Sequence, residues 1–422
     1  YGSRGANGVV MITTKRGKTG GTDVSYHGYY GIQNLRKKID LLNKADYVAM
    51  QNEIAIKDGN APLTPSEIAA LPDNDWQDLA YRNAVIHNHQ LSASGGNEIA
   101  KFYTAVNYLK QEGILKGSDF NRIGIRMNGD LKLNEKLGVK GNINFSNTVD
   151  ENGNFAADGW GAIPFQSIVM APTTPIFDEN GDYTVFTGTP WGGTNPVGYA
   201  EMDKNVNTLN RITTNVDVKY QIIPDLSFRV TAGVDFHNST NDKYSKIGIV
   251  NGGPGTGQAS KSMSKLYTFI NENILDYSKE INENHHISAM VGFSYQQSTY
   301  DAISGSASGF VSDVFENNLI QSGSNSSPTN TSYWDSKLLS YIGRINYSLK
   351  DRYLLTATGR YDGSSKFGKD NKYAFFPSVA LAWRVSEEEF MKNIVWMSDL
   401  KLRFSHGQAG NQAVSPYQTL DR

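Results

Sequence analysis

Two pairs of histidines come closest, in residue type and spacing, to a metal-binding site in this sequence. His87 and His89 are two residues apart and would share one face of a strand, while His285 adjoins His286. A zinc site usually needs four ligands, and no further ligand lies at a recognisable spacing from either pair. The pattern favours histidines at the ends of strands, and we expect no metal ion and no other cofactor.

Two further stretches match known ligand-binding loops only in part. The segment "GGPGTGQA" at 252–259 has the glycine spacing of a phosphate-binding loop, but Gln258 and Ala259 stand where that loop needs Lys and Ser or Thr. The segment "DENGD" at 178–182 starts like a calcium loop but lacks the spaced further ligands and the downstream Glu. We interpret the first as a mobile surface loop and the second as a hairpin turn at Asn180 and Gly181.

Catalytic motifs and a charged nucleic-acid surface are both missing from the sequence. There is no Gly-x-Ser-x-Gly or His-Glu-x-x-His segment, and no carboxylate pair stands out. The 40 Lys and Arg nearly balance the 42 Asp and Glu, and there is no cysteine for a disulfide or a thiolate site. We therefore expect that the protein is not an enzyme and does not bind nucleic acid.

The elements that carry these residues are mainly strands, because apolar and polar residues alternate over most of the chain after residue 80. In residues 122–133, for example, Ile123 and Met127 fall on one face while Arg122 and Arg126 fall on the other. This alternation predicts an all-β chain with about thirteen strands. They are expected at residues 24–32, 88–94, 101–110, 122–133, 137–146, 211–220, 226–237, 265–277, 287–296, 339–349, 353–362, 377–385 and 400–405.

The connections between these strands alternate in length, which indicates a transmembrane antiparallel β-barrel. Short connections are expected at 94–100, 134–138, 222–227, 280–286 and 348–353, and long ones at 33–87, 111–121, 151–207, 240–264, 301–335 and 363–375. Outer-membrane barrels have short periplasmic turns and longer extracellular loops. Bacterial barrels also have an even number of strands, so we expect further strands beyond Arg422 and interpret the sequence as an internal fragment.

Four tyrosines flank the short connections and predict an aromatic girdle at the periplasmic side of the membrane. They are Tyr220, Tyr277, Tyr347 and Tyr353. An aromatic girdle forms where lipid meets water, so this placement supports the barrel interpretation.

Residues 43–57 depart from the strand pattern and predict an amphipathic helix in the first long connection. Asn43 is suited to capping its start, and Tyr47, Met50 and Ile54 recur at helical spacing. We expect this apolar stripe to pack against the mouth of the barrel.

The chain begins with "YGSRGANGVVMITTKRGK", a glycine-rich turn that leads into a β-branched run. This segment resembles the end of the plug domain in TonB-dependent outer-membrane receptors, specifically the SusC/RagA-like branch. The matching residues are Tyr1, Gly2, Arg4, Gly5, Ala6, Asn7 and Gly8, followed by Ile12, Thr13, Thr14 and Lys15. The segments "NHQLSASGG" at 88–96, "ATGRYDGSSKFG" at 357–368 and "FFPSVALAWRVSEEEF" at 375–390 resemble the barrel of the same branch.

The resemblance implies a barrel of about 22 strands with a plugged lumen. Residues 1–20 would be the C-terminal end of the plug, and residues 21–422 would be the N-terminal part of the barrel in the lipid of a Gram-negative, Bacteroidota-like outer membrane. It also implies import of an oligosaccharide or oligopeptide, with TonB in the periplasm and a SusD-like lipoprotein at the surface. Trp160, Trp191 and Trp334, in or near long connections, are candidates for stacking on sugar rings, with packing inside the loops as their alternative role.

Two other classes of protein remain open from the residues alone. A passive porin or a surface-adhesin barrel would share the strand pattern, although no plug would move and no energy would be coupled to transport. A soluble β-repeat protein would instead require polar exteriors on its strands.

Overall fold

The computed structural model describes residues 2–6, 8, 10, 14–152, 162–184, 195–248, 256–391, 394 and 396–419. Fourteen strands form one sheet in this part of the chain. They are β1 Gly20–Gln33, β2 Ala84–Gly96, β3 Ala100–Glu112, β4 Ser118–Lys132, β5 Leu137–Asn152, β6 Asp203–Ile223, β7 Leu226–Ile247, β8 Thr256–Asn282, β9 His285–Ser308, β10 Asn325–Ser326, β11 Asn330–Leu349, β12 Tyr353–Ser364, β13 Tyr373–Arg384 and β14 Lys401–Gly407.

The long strands pair antiparallel with their neighbours along the chain, so that each long strand between β1 and β14 has two partners. The order runs from β1 to β9 and then from β11 to β14, while the two-residue β10 pairs with β9. Each of the thirteen predicted strands is present, so the all-β prediction is confirmed. β1 and β14 form the two ends of the sheet.

The pairing register gives the sheet one apolar face and one polar face. Val106, Ile125, Phe145 and Ile212 lie directly opposite one another on four neighbouring strands, because adjacent residues alternate between the two faces. The apolar row is open to the surroundings, with 47% of Val106 and 40% of Ile212 exposed. A soluble sheet would bury this face, so the arrangement is inside-out relative to a soluble fold.

The predicted tyrosines lie on the apolar face near the short connections. The register places Tyr220 opposite Phe228, and Tyr353 lies opposite Trp383 with the two rings stacked at 6.5 Å between centroids. Tyr277 lies opposite Leu226, and Tyr347 lies opposite Leu355. The structure therefore places these four side chains together at one end of one face.

Most connections follow the predicted alternation of length, with three differences. Residues 97–99, 133–136, 224–225, 283–284 and 350–352 form short turns at one end of the sheet. The predicted long connections at 111–121 and 240–264 are mostly strand, since backbone pairing continues where both faces are polar and apolar alternation has stopped. The connection between β13 and β14, at the short-turn end, is nearly the interval left between the two predicted strands, and its length breaks the alternation.

Within the described residues, five α-helices lie in the long connections: α1 Lys44–Lys57, α2 Pro65–Ala70, α3 Trp76–Ala80, α4 Ile163–Val169 and α5 Pro196–Met202. Helix α1 begins as predicted, with the Asn43 side chain accepting a hydrogen bond from the Asp46 amide at 3.0 Å. The predicted packing face is wrong. Met50 and Ile54 are exposed, and Val48, which projects from another side of the helix, is the buried residue.

The helices of the described residues differ from membrane-spanning helices. None of the helices in that part of the chain combines the length and the apolar character needed to cross a bilayer.

Well-buried apolar clusters occur at the long-connection end of the sheet. One joins Ala80 of α3, Leu115, Ile163 of α4 and Tyr199 of α5. A second cluster is centred on Tyr244, where β7, β8 and β9 end. These clusters fix the outer connections onto the rim of the sheet.

The two partial ligand loops have different outcomes. Residues 178–182 form the predicted turn, in which the Asp178 carboxylate accepts hydrogen bonds from the amides of Asn180 and Asp182 at 2.8 and 2.9 Å. Residues 252–255 lie outside the described part of the chain. The rest of that predicted surface loop is strand, because Thr256–Ala259 begins β8 and Ala259 is buried beside Tyr244.

Candidate functional site

The N-terminal turn, which we define as residues 2–6, lies against the polar face of β12. Gly2 begins the turn with φ of +62°, a left-handed conformation that glycine adopts at little cost. A Cβ atom at this position would lie 2.5 Å from side-chain atoms of Arg360 and Asp362. The turn therefore approaches the strand as closely as its backbone allows.

Asp362 holds this turn through a buried carboxylate that is 2% exposed. One carboxylate oxygen accepts hydrogen bonds from the Ser3 amide at 2.8 Å and from the Ser3 hydroxyl at 2.7 Å. The other accepts from Arg360 Nε at 2.7 Å, and Arg360 also donates to the Ser340 hydroxyl at 3.0 Å. The carboxylate is thus satisfied by donors from the wall and from the N-terminal turn together.

Residues 408–413, which follow β14, contact the other side of the N-terminal turn. The Gly410 amide donates to the Gly2 carbonyl at 2.9 Å, and the Ala6 amide donates to the Gly410 carbonyl at 3.3 Å. The Gln412 side chain donates to the Ser3 hydroxyl. Ser3 therefore lies between β12 and the segment that follows β14.

Arg4 extends from the turn toward β9, where its Nη1 donates to the Gln296 side-chain oxygen at 2.8 Å. Burial of the guanidinium against the surrounding protein, followed by the nearby charge of Arg360, lowers the pKa of Arg4. Both effects disfavour the positive charge. An anion placed beside Arg4 would offset them.

A cavity of about 320 Å³ opens beside Arg4 on the same polar face. Trp334 lines it and stacks on Tyr300, with 5.4 Å between ring centroids and 14° between ring planes. Both aromatic residues lie near the strand ends that meet the long connections. The structure thus brings together two of the predicted site residues, Arg4 and Trp334.

The other predicted site residues have separate outcomes. Tyr1, Asn7, Trp160 and Trp191 lie outside the described part of the chain, as do Ile12 and Thr13. Gly5 and Gly8 continue the turn, because the Gly5 amide donates to the Gly2 carbonyl and the Gly8 amide donates to the Gly5 carbonyl. Ser3, Asp362, Gln296 and Gln412 were missed by the sequence reasoning. The only signal for Asp362 was its place in the segment "ATGRYDGSSKFG".

After the N-terminal turn, the chain runs along β3 and β4 toward the start of β1. The Lys15 carbonyl accepts from the Asn128 side chain at 2.6 Å, and Arg16 pairs with Asp130 at 2.5 Å. A Cβ atom on Gly17 would lie 2.5 Å from the Phe102 carbonyl oxygen. Residues 15–17 are therefore held against the sheet mainly by polar contacts.

One histidine of each pair lies within hydrogen-bonding distance of a tyrosine hydroxyl. His89 Nδ1 lies 2.6 Å from Tyr26 Oη, and His285 Nδ1 lies 2.6 Å from Tyr347 Oη. In the described ranges, no group of three or more His, Asp or Glu is arranged to hold a metal ion.

Comparison with known proteins identifies the family. Residues 144–420 match the family model described as "TonB dependent receptor-like, beta-barrel". The chain belongs to this family. It is 38% identical over 433 residues to TonB-dependent receptor P26 of Formosa agariphila, covering 99% of this chain and 42% of that relative. It is 29% identical over 450 residues to TonB-dependent receptor SusC of Bacteroides thetaiotaomicron, covering 98% of this chain and 42% of SusC.

Solved structures support the same fold for this TonB-dependent receptor chain. The RagAB peptide transporter superposes with a TM-score of 0.84 at 24% identity, over 99% of this chain and 50% of that chain. The RagAB peptide importer in its "open-open" state gives 0.85 over the same shares. The SusC/RagA-like resemblance and the β-barrel fold are thereby confirmed. The polar face of the sheet is accordingly the luminal face, and the family is one of receptors, not an enzyme class.

Proposed function

We propose that this chain is part of an outer-membrane transporter that imports an oligosaccharide, or an oligopeptide, with energy supplied through TonB. Residues 1–20 would form the C-terminal end of a plug, residues 21–422 would form the N-terminal part of the barrel, and a SusD-like lipoprotein would cover the ligand at the surface. The chain spans 42% of the relatives P26 and SusC, so the activity belongs to a longer protein.

The observation that carries the proposal is the docking of the N-terminal turn on the luminal face through Ser3 and Asp362. An apolar face open to its surroundings suits lipid, and a polar face suits a wet lumen that can be closed by a separate segment. A turn held inside a barrel wall is what a plug requires.

The contacts of this turn are suited to release. They are hydrogen bonds to Asp362, Gln296 and Gly410, without any apolar residue of the turn packed into a core. Water can replace such bonds when the turn leaves the wall, so their net contribution is only about 1 kcal/mol for each neutral pair and about 1.5–3 kcal/mol for each bond to the Asp362 carboxylate. A pulling force applied from the periplasm can therefore detach the segment without unfolding the barrel.

The luminal cavity supports a sugar as the first choice of ligand. Trp334 and Tyr300 form a flat aromatic surface near the long connections, where a ligand from outside arrives first. Flat aromatic faces with nearby polar groups suit the alternating apolar and hydroxyl faces of sugar rings.

Uptake by the complete protein tests the proposal. Cells that express it should take up labelled ligand only when TonB is present and the proton-motive force is intact. Uptake that continues after loss of TonB would instead support the passive porin, and a protein that binds cells or surfaces without any uptake would support the adhesin.

A further inference from the structure

We propose that the luminal cavity beside Arg4 selects an acidic saccharide, by stacking a sugar ring on Trp334 and holding its carboxylate or sulfate with Arg4 and Lys366. This inference rests on the proposed import function and names the ligand class for it. The inference is based on three observations: the cations that line the cavity, the stacked rings of Trp334 and Tyr300, and the pairing of the surrounding strands along both edges.

The cavity is lined by cations and by no carboxylate, and the nearby carboxylates of Asp362 and Glu272 partly offset the positive charge of Arg4. Arg4, Lys337 and Lys366 line it, and no Asp or Glu does. The register places Lys337 on the apolar face of β11, so Arg4 and Lys366 are the cations left for the luminal side. None of the three forms an ion pair within the described residues. Arg211 on the same luminal face, by contrast, is bound by both oxygens of Asp235 at 3.0 and 2.9 Å. An anionic ligand would supply the partner that Arg4 lacks.

The remaining lining is neutral and rich in hydrogen-bonding groups. Gln296, Ser298, Ser336 and Asn411 offer amides and hydroxyls around the stacked Trp334. These groups can donate to and accept from sugar hydroxyls, while the indole face covers the C–H groups of a ring. A volume of about 320 Å³ lies at the lower end of the range for ligand pockets.

An extended peptide fits the cavity less well, because the strands around it have no free edge. β9 is paired with β8 and β11, and β11 is paired with β9 and β12. A peptide that adds a strand needs unpaired backbone groups along such an edge. Recognition here must come from side chains, and the cations and the stacked aromatic pair of this cavity suit a ring with an anionic substituent.

A second luminal cavity repeats this composition. It has a volume of about 350 Å³, and Arg122, Arg126 and Tyr103 line it without any acidic residue. Neither arginine forms an ion pair within the described ranges. Two separate positions on the luminal wall therefore offer a cation beside an aromatic ring.

The test compares one acidic oligosaccharide with its neutral counterpart. Chondroitin sulfate oligosaccharides carry both carboxylates and sulfates, and desulfation with carboxyl reduction removes both charges while keeping the sugar rings. Calorimetric titration of the complete protein in detergent should show the acidic form binding at least about tenfold more tightly, a ratio equivalent to about 1.4 kcal/mol.

Substitutions in the two cavities test whether these cavities cause the preference for the acidic oligosaccharide. Arg4→Gln and Arg126→Gln should each reduce the ratio between acidic and neutral affinities, and Trp334→Leu should weaken both forms. Lys136→Gln, which removes one exposed charge at the short-turn end, is the matched control and should leave the ratio unchanged.

Equal affinity for the two forms, no binding of either form, or a ratio that survives both arginine substitutions would overturn the inference. Tighter binding of an acidic peptide than of the acidic oligosaccharide would also overturn it. TonB-dependent uptake without any preference for acidic sugars would refute this inference alone. TonB-independent uptake of acidic sugars would refute only the proposed function.

Discussion

The substitution Asp362→Asn should loosen the N-terminal turn while keeping the volume of the side chain. In the structure one carboxylate oxygen accepts two bonds from Ser3, and the other accepts one from Arg360. An asparagine has a single acceptor oxygen, so its amide nitrogen must face either the donors of Ser3 or that of Arg360.

The expected magnitude follows from these bonds. A hydrogen bond to a charged group contributes about 1.5–3 kcal/mol. The substitution removes at least one such bond, and it removes the negative charge that strengthens the bonds that remain. We expect a loss of roughly 2–3 kcal/mol in the free energy of docking, which corresponds to roughly a 30- to 150-fold increase in the undocked population.

Hydrogen exchange of the complete protein measures this population, because the Ser3 amide donates directly to Asp362. Its exchange should accelerate by the factor just given in Asp362→Asn. The control is Asp217→Asn, which removes a luminal carboxylate that accepts from Thr231 and does not contact the turn. Unchanged exchange at Ser3, or equal acceleration in the control, would refute the docking role of Asp362.

Three more perturbations test separate parts of the structure. Gly2→Ala should accelerate exchange of the same turn, because its Cβ would clash with β12, whereas Gly8→Ala meets no atom within 4 Å and should have a smaller effect in the same exchange measurement. Val216→Arg, on the apolar face, should destabilise the complete protein in lipid by about 2–4 kcal/mol in denaturant titrations, and a mild effect would indicate that this face is not in lipid. Burial, and then the hydrogen bond donated to Glu201, raise the pKa of Tyr183 to about 12. Its stabilising contribution should therefore be complete below about pH 10 and disappear as the pH rises through about 12. Phenolate absorbance that is present in the wild type and absent from Tyr183→Phe should give this value, and a transition near the ordinary pKa would contradict it.

The strands could be predicted because their central parts alternate in polarity, which is a local property. Residues 122–133 show the pattern in the sequence, and β4 covers nearly the same range. The strand ends could not be predicted in the same way. Beyond Asn238, β7 has mostly polar residues on both faces, yet its pairing continues to Ser245 with β6 and to Ile247 with β8, because the backbone ladder does not depend on side-chain polarity.

The candidate site was only partly accessible to sequence reasoning. Arg4 and Trp334 were singled out for separate reasons, one as part of the plug signature and one as a loop aromatic. Their proximity depends on the register that places Trp334 opposite Tyr300 and on the docking of Ser3 on Asp362, contacts between residues far apart in the chain. The prediction of the buried face of α1 was wrong for a related reason, since Val48 rather than Met50 is buried once the long connections are folded.

The central claim is that the N-terminal turn must leave the barrel wall during import. The 422 residues contain no cysteine, so within them Ser3→Cys combined with Asp362→Cys introduces a single defined pair where the native side chains are 2.7 Å apart. In the complete protein, oxidation of this pair should abolish TonB-dependent uptake and reduction should restore it, while either single substitution should show no response to oxidation. Undiminished uptake by fully cross-linked protein would contradict the account.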